Sequence, residues 1–119
     1  MVETLDSLLV RQLPEIMQRE RNNSDALHLY CVGNYWVAFE TSAYQLSLLC
    51  RGSQTSALQL RAYPFPVVMT SISNEQRLRL RRGRTLRRTT DNYQVLTVPA
   101  ASDDSYRQWH REWTDDLLE

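Results

Sequence analysis

Gly33 and Asn34 stand between two runs of strand-forming residues, "ALHLYCV" and "YWVAFE". A two-residue Gly-Asn connection is a hairpin turn, because both residues tolerate the positive φ that a tight reversal demands. It places residues 27–32 and 35–40 side by side as antiparallel strands and excludes an all-helical chain. A helix follows. Thr41 or Ser42 can cap it by accepting from free backbone N–H groups. Ala43, Leu46, Leu49 and Cys50 form its apolar stripe, and Gly52 is its stop signal.

The flanking segments extend this α/β pattern. Leu5, Leu8, Leu9, Leu13, Ile16 and Met17 fall at helical spacing. Pro14 interrupts them, and the pattern suggests a second helix starting there, where a missing N–H costs nothing. "ALQLRAY" and "FPVVMTS" read as strands separated by Pro64 and Pro66, which cannot donate to a ladder. Ser73 and Gln76 have capping-box spacing and open a short helix that runs to Gly83. "TLRRTT" and "YQVLTV" are strands joined by an Asp91-Asn92 turn. Tyr106, Trp109, Trp113 and Leu117 recur every three or four residues, which marks an amphipathic C-terminal helix. Residues 99–104, from Pro99 to Asp104, form the one candidate hinge. No repeat or low-complexity tract is present.

A chain of 119 residues suits one domain with a modest core. Its 14 basic residues are all arginine, and 14 acidic residues balance them. A net charge of zero gives no global field to attract nucleic acid, so any such attraction must come from local clustering. "MVETLDSLLV" lacks the cationic start of a secretory signal, and no apolar run approaches the roughly 18 residues of a membrane span. A reduced, cytoplasmic protein without membrane contact is the expectation. Cys31 and Cys50 fit no metal or redox spacing and read as buried thiols, although sequence alone leaves a disulfide between them open.

The order of these elements, with the hairpin segment from Ser24 to Phe39, resembles the N-terminal domain of the DNA mismatch repair protein MutS. That family carries a segment of the type P-D-A-L-L-F-Y-R-M-G-D-F-Y-E-L-F. Here the same register reads "SDALHLYCVGNYWVAF". "PFPVVMTSIS" is similar to the family's proline-led strand, "RLRLRRGRTLRR" to a helix end, glycine and strand, and "VLTVPA" to the exit strand. The likeness covers about residues 14–100. It implies an α+β fold, a mixed β-sheet with flanking helices, over residues 1–100. Residues 101–119 then add an amphipathic helix packed on that domain. In the family, the aromatic two residues after the hairpin glycine wedges beside a mismatched pair, and a glutamate two residues later bonds the displaced base. By position the wedge is Tyr35, but the glutamate position holds Val37, which cannot bond a base. The chain also has no phosphate loop of the G-x-x-x-x-G-K-[ST] type and no room for clamp helices. The resemblance therefore implies a stand-alone domain without mismatch specificity.

Arg77, Arg79, Arg81, Arg82, Arg84, Arg87 and Arg88 place seven cations in twelve residues, with Glu75 as the nearby acid. Guanidinium forks match phosphate oxygens, so with Tyr35 these residues are the candidate contacts to duplex DNA. The duller reading is a solvated face, or neutralisation by the tail acids Asp103, Asp104, Asp115, Asp116 and Glu119. A second class of function is a protein-interaction module, or a homodimer, built on Tyr106, Trp109 and Trp113. His28 and His110 have no nucleophile or carboxylate at motif spacing. No catalytic or metal-binding constellation is visible, and a non-enzymatic chain without a cofactor is the expectation.

Overall fold

The computed structural model describes residues 4–61 and 63–118. Helix α1 spans Leu5–Glu20, β1 Ala26–Val32 and β2 Tyr35–Phe39. Helix α2 spans Glu40–Leu49, β3 Gln54–Leu58, β4 Val67–Ser73 and α3 Asn74–Arg81. Strands β5 (Leu86–Thr89) and β6 (Tyr93–Thr97) and helix α4 (Asp103–Leu118) complete the order. The fold class is α+β, with a six-stranded sheet ordered β3-β4-β2-β1-β6-β5 and helices flanking it. All five pairings are antiparallel, so the sheet holds no parallel pair of the kind a mixed sheet implies.

The hairpin forms as expected, with Val32 opposite Tyr35 and Cys31 opposite Trp36. Gly33 takes φ 64° while Asn34 keeps a negative φ, so only the first central position of the turn requires glycine. The strands bury both faces. Tyr30, Val32, Val37, Phe39, Val67 and Met69 pack against Leu8, Leu9, Leu13 and Ile16 of α1. On the other face Leu27, Leu29, Trp36, Ala38, Ile72 and Leu96 meet Leu46 and Cys50, at the end of α2, and Leu80 of α3. The period-two alternation of the strands thus feeds two layers of core.

Four local expectations are corrected. Pro14 does not start a new helix; it lies within α1, which runs unbroken to Glu20. The ring faces solvent there, and the buried stripe of Leu13 and Ile16 holds the two halves in line. Helix α2 is not capped by Thr41 or Ser42. It begins at Glu40, and Phe39 in the capping position supplies no side-chain bond. The cap comes from α1: Ser42 N donates to Glu20 Oε1 at 2.8 Å, and Ser42 Oγ donates to Glu20 Oε2 at 2.7 Å. The third strand lies N-terminal to its expected place. Its ladder with β4 runs from Gln54 opposite Ser71 to Leu58 opposite Val67, and Pro66 beyond Val67 has no N–H to extend it. Ala62, within the expected strand, lies outside the described residues. Helix α3 ends at Arg81 rather than Gly83.

Other local signals hold. The capping box is complete: Gln76 N donates to Ser73 Oγ at 3.1 Å, and Ser73 N donates to Gln76 Oε1 at 2.7 Å. The hinge segment is tied down by Ala101 N donating to Ser24 O at 2.8 Å, and α4 packs on α2, β3 and β4. Both cysteines are free thiols. No helix among the described residues is long and apolar enough to cross a membrane.

Candidate nucleic-acid interface

The seven clustered arginines separate into different roles once folded. Arg79, Arg81 and Arg82 are exposed at the C-terminal end of α3. Arg84 is half-buried, and its Nε donates to Leu80 O at 3.0 Å. Together with Arg51, from the loop after α2, Arg79, Arg82 and Arg84 line a groove of about 270 Å³ floored by Leu49, Cys50 and Leu80. Gln76 completes the wall, and no carboxylate contributes to it. Four arginines lining one groove with no acid among the lining form an anion-accepting surface. Arg51 is the member that sequence reading misses. It lies 26 positions before Arg77, and α2 and α3 covering the same sheet face brings it into the group.

Arg77 is not part of that surface. It is buried, its guanidinium carbon 4.6 Å from the Trp36 ring centroid. Its Nη1 donates to Gln94 Oε1 at 2.9 Å, and its Nε and Nη2 donate to Asn74 Oδ1 at 3.1 and 2.8 Å. Burial, with Arg81 nearby, lowers its pKa from the ordinary arginine value. Arg87 and Arg88 lie on β5, an edge strand of the sheet. A bulge between Leu86 and Arg88 turns Arg87 onto Thr97 Oγ1 at 2.7 Å and Asp25 at 3.2 Å. Arg88 lies 6.0 Å from the Tyr93 ring centroid. Charge on an edge strand also discourages sheet-to-sheet association. Among the described residues, Asp25 on Arg87 is the one carboxylate within ion-pair distance of the cluster. The described acids of the tail do not pair with it: α4 packs beside β3 and β4, and Asp103 pairs with Arg107 of its own helix at 3.4 Å. The side chain of Asp116 and all of Glu119 lie outside the described residues.

Tyr35 and Trp36 take opposite faces, as alternation requires. Trp36 is buried, and its indole N–H donates to Asn74 Oδ1 at 3.3 Å. Tyr35 is half-buried against the α1-side core, on the face away from α3 and its arginines. The candidate wedge and the candidate phosphate contacts therefore do not share a surface.

The aromatic face of α4 is also divided. Tyr106 and Trp109 turn inward onto Tyr44 of α2, with ring centroids 6.2 and 5.2 Å from it. Trp113 remains 40% exposed and Leu117 41%. Trp113 contacts Trp109 edge-on at 6.5 Å.

A second polar cluster joins α1, α2 and α4. The Tyr106 hydroxyl donates to Glu40 Oε2 at 2.6 Å, and His110 Nε2 lies 2.6 Å from the same oxygen. Burial and the charge of Glu40 push the Tyr106 hydroxyl pKa well above its ordinary value. Burial also raises the Glu20 carboxyl to about 7, against the bonds from Ser42 and Asn23 that lower it. Glu40 has φ 54° and is the one described non-glycine residue with a positive φ. The sequence reading finds no carboxylate at motif spacing from His110, and the fold supplies one from outside any motif. Seventy positions separate the two residues, so no spacing motif signals the pair. His28 is paired as well: its Nδ1 lies 2.8 Å from the Tyr93 hydroxyl. No group of three or more metal-ligating side chains occurs among the described residues.

No protein-family model, no curated protein and no solved structure matches this chain. Nothing in these comparisons links the chain to the MutS N-terminal domain.

Proposed function

We propose that this chain is a non-catalytic binding domain that holds the phosphate backbone of duplex DNA, without reading mismatches. The observation that carries the reading is the carboxylate-free groove of Arg51, Arg79, Arg82 and Arg84, with Arg81 exposed beside it. Arginine forks bind phosphate oxygens in pairs, and such contacts carry affinity but no base information. Arg77 is excluded from the contact set by its burial, and Tyr35 by its place on the α1 face. Val37 at the position of the base-bonding glutamate supports the lack of mismatch readout. The test is fluorescence anisotropy with a labelled duplex over a salt series. Log affinity should fall with log salt at a slope of about −0.9 per phosphate contact, and the double variant Arg79→Ala, Arg82→Ala should flatten it. Absence of binding at about 50 mM salt would remove the reading.

A second reading is a protein-interaction module on α4. It is favoured by the 40% exposure of Trp113 and 41% exposure of Leu117. Loss of a partner or of a dimer in Trp113→Ala, with duplex binding unchanged or absent, would select it.

A further inference from the structure

At the end of α2 opposite the arginine groove lies a larger cleft of about 790 Å³, bounded by α1, α2, α4 and the segment before β4. Small-molecule sites span roughly 300–1,000 Å³. We propose that this cleft is a second binding site, and that it takes a nucleoside monophosphate: a flat aromatic ring carrying a phosphate.

The ring has a platform. Phe65 is 65% exposed in the cleft wall and meets Tyr63 edge-on, centroids 5.9 Å apart at 71°. Pro64 and Pro66 flank Phe65 and restrict its backbone. An aromatic face held in solvent between two prolines offers stacking to a base, and such stacking tolerates any base because each has a π-face. Asn22, in the same wall, carries a donor and an acceptor for a base edge.

The phosphate has its partners too. Arg21, Arg107 and Arg111 line the cleft. Arg107 and Arg111 are four apart on α4, so they share a helix face. Among the described residues Arg107 is bound only to Asp103, in a pair whose side chains are 70% and 82% exposed, and an exposed pair is weak. Arg21 and Arg111 have no carboxylate within ion-pair distance among the described residues. The two buried carboxyls of the cleft are already engaged, Glu40 by Tyr106 and His110, and Glu20 by Ser42 and Asn23. Asp103, the third carboxylate of the lining, is held by Arg107, so the cations left for a phosphate among the described residues are Arg21 and Arg111. Glu40 holds its carboxyl in place from a left-handed backbone, and strain of this kind persists where the surroundings over-determine it, often beside ligands.

Isothermal titration of the full chain with adenosine monophosphate, adenosine and inorganic phosphate tests the proposal. The monophosphate should saturate and bind more tightly than either part. Arg111→Gln should weaken the monophosphate by about tenfold and leave adenosine unchanged. Phe65→Ala should weaken the monophosphate and adenosine and leave inorganic phosphate unchanged. Arg79→Ala with Arg82→Ala should leave monophosphate binding intact, which separates this cleft from the proposed duplex-binding face. The proposal is overturned by no saturable monophosphate binding up to about 10 mM. It is equally overturned by affinity no higher than that of inorganic phosphate, or by loss of binding in the Arg79, Arg82 variant.

Discussion

Glu40 and His110, 70 positions apart, meet at 2.6 Å and join the first turn of α2 to the middle of α4. Glu40 does this from φ 54°, a conformation that disfavours every side chain and suits glycine. Replacing it therefore has two effects of opposite sign. Glu40→Ala keeps the strain and removes the acceptor of the half-buried Tyr106 hydroxyl, so it should cost about 1–3 kcal/mol. Glu40→Gly loses the same bonds but relieves the strain. It should be less destabilising than alanine by about 1 kcal/mol, the reverse of helix propensity. Urea denaturation of both variants measures the order, and alanine above glycine would show that the backbone is not strained.

The aromatic residues of α4 should not contribute equally. Trp109 lies against Tyr44, whereas Trp113 is 40% exposed. Trp109→Ala should cost about 2–3 kcal/mol, less than a fully buried tryptophan. Trp113→Ala should stay within about 1 kcal/mol. Truncation after Pro99 should lower the melting temperature by more than either single change. A truncated chain that melts at the full-length temperature would mean that α4 adds nothing to the core.

Arg77 should behave as a core residue. Arg77→Ala leaves Gln94 Oε1 without its arginine donor, leaves Asn74 Oδ1 with the Trp36 indole N–H alone, and uncovers the Trp36 ring. It should destabilise by about 2–4 kcal/mol. Arg81→Ala, on the exposed end of the same helix, should stay within about 0.5 kcal/mol. Equal melting temperatures for the two variants would contradict the burial of Arg77.

A half-buried histidine and a buried glutamate oppose each other in the pH dependence of stability. Burial, with Arg19 and Arg87 nearby, lowers His28 from 6.5 to about 4. The fold favours the neutral ring, so this contribution is present above about pH 6.5 and is lost as pH falls toward 4. Burial raises Glu20 from 4.5 to about 7. The fold favours its protonated form, so that contribution is present below about pH 4.5 and is lost as pH rises through 7. Denaturation midpoints measured from pH 4 to 8 should separate them. His28→Gln should lose less stability than the parent between pH 7 and 4, and Glu20→Gln less between pH 5 and 8. Curves parallel to the parent would refute the assignments.

The sequence by itself determined the elements whose partners are close along the chain. The Gly33-Asn34 reversal, the Ser73–Gln76 capping box and the three-four spacing of α4 each involve residues within about one turn. Their geometry is settled before distant contacts form. Hydrophobic alternation likewise determined that Tyr35 and Trp36 point apart. Tertiary structure decided whatever depends on a partner far along the chain. Glu20 reaches across from α1 to cap α2, which moves its start to Glu40. Pro66 ends the β4 ladder and so limits β3. An arginine's charge is the same in solvent or against a tryptophan, so only the packing of α3 reveals that Arg77 is inside and Arg79 outside. The same packing brings Arg51 to the arginine groove, and the docking of α4 sets His110 on Glu40, because proximity between elements is a property of the folded chain and not of its spacing.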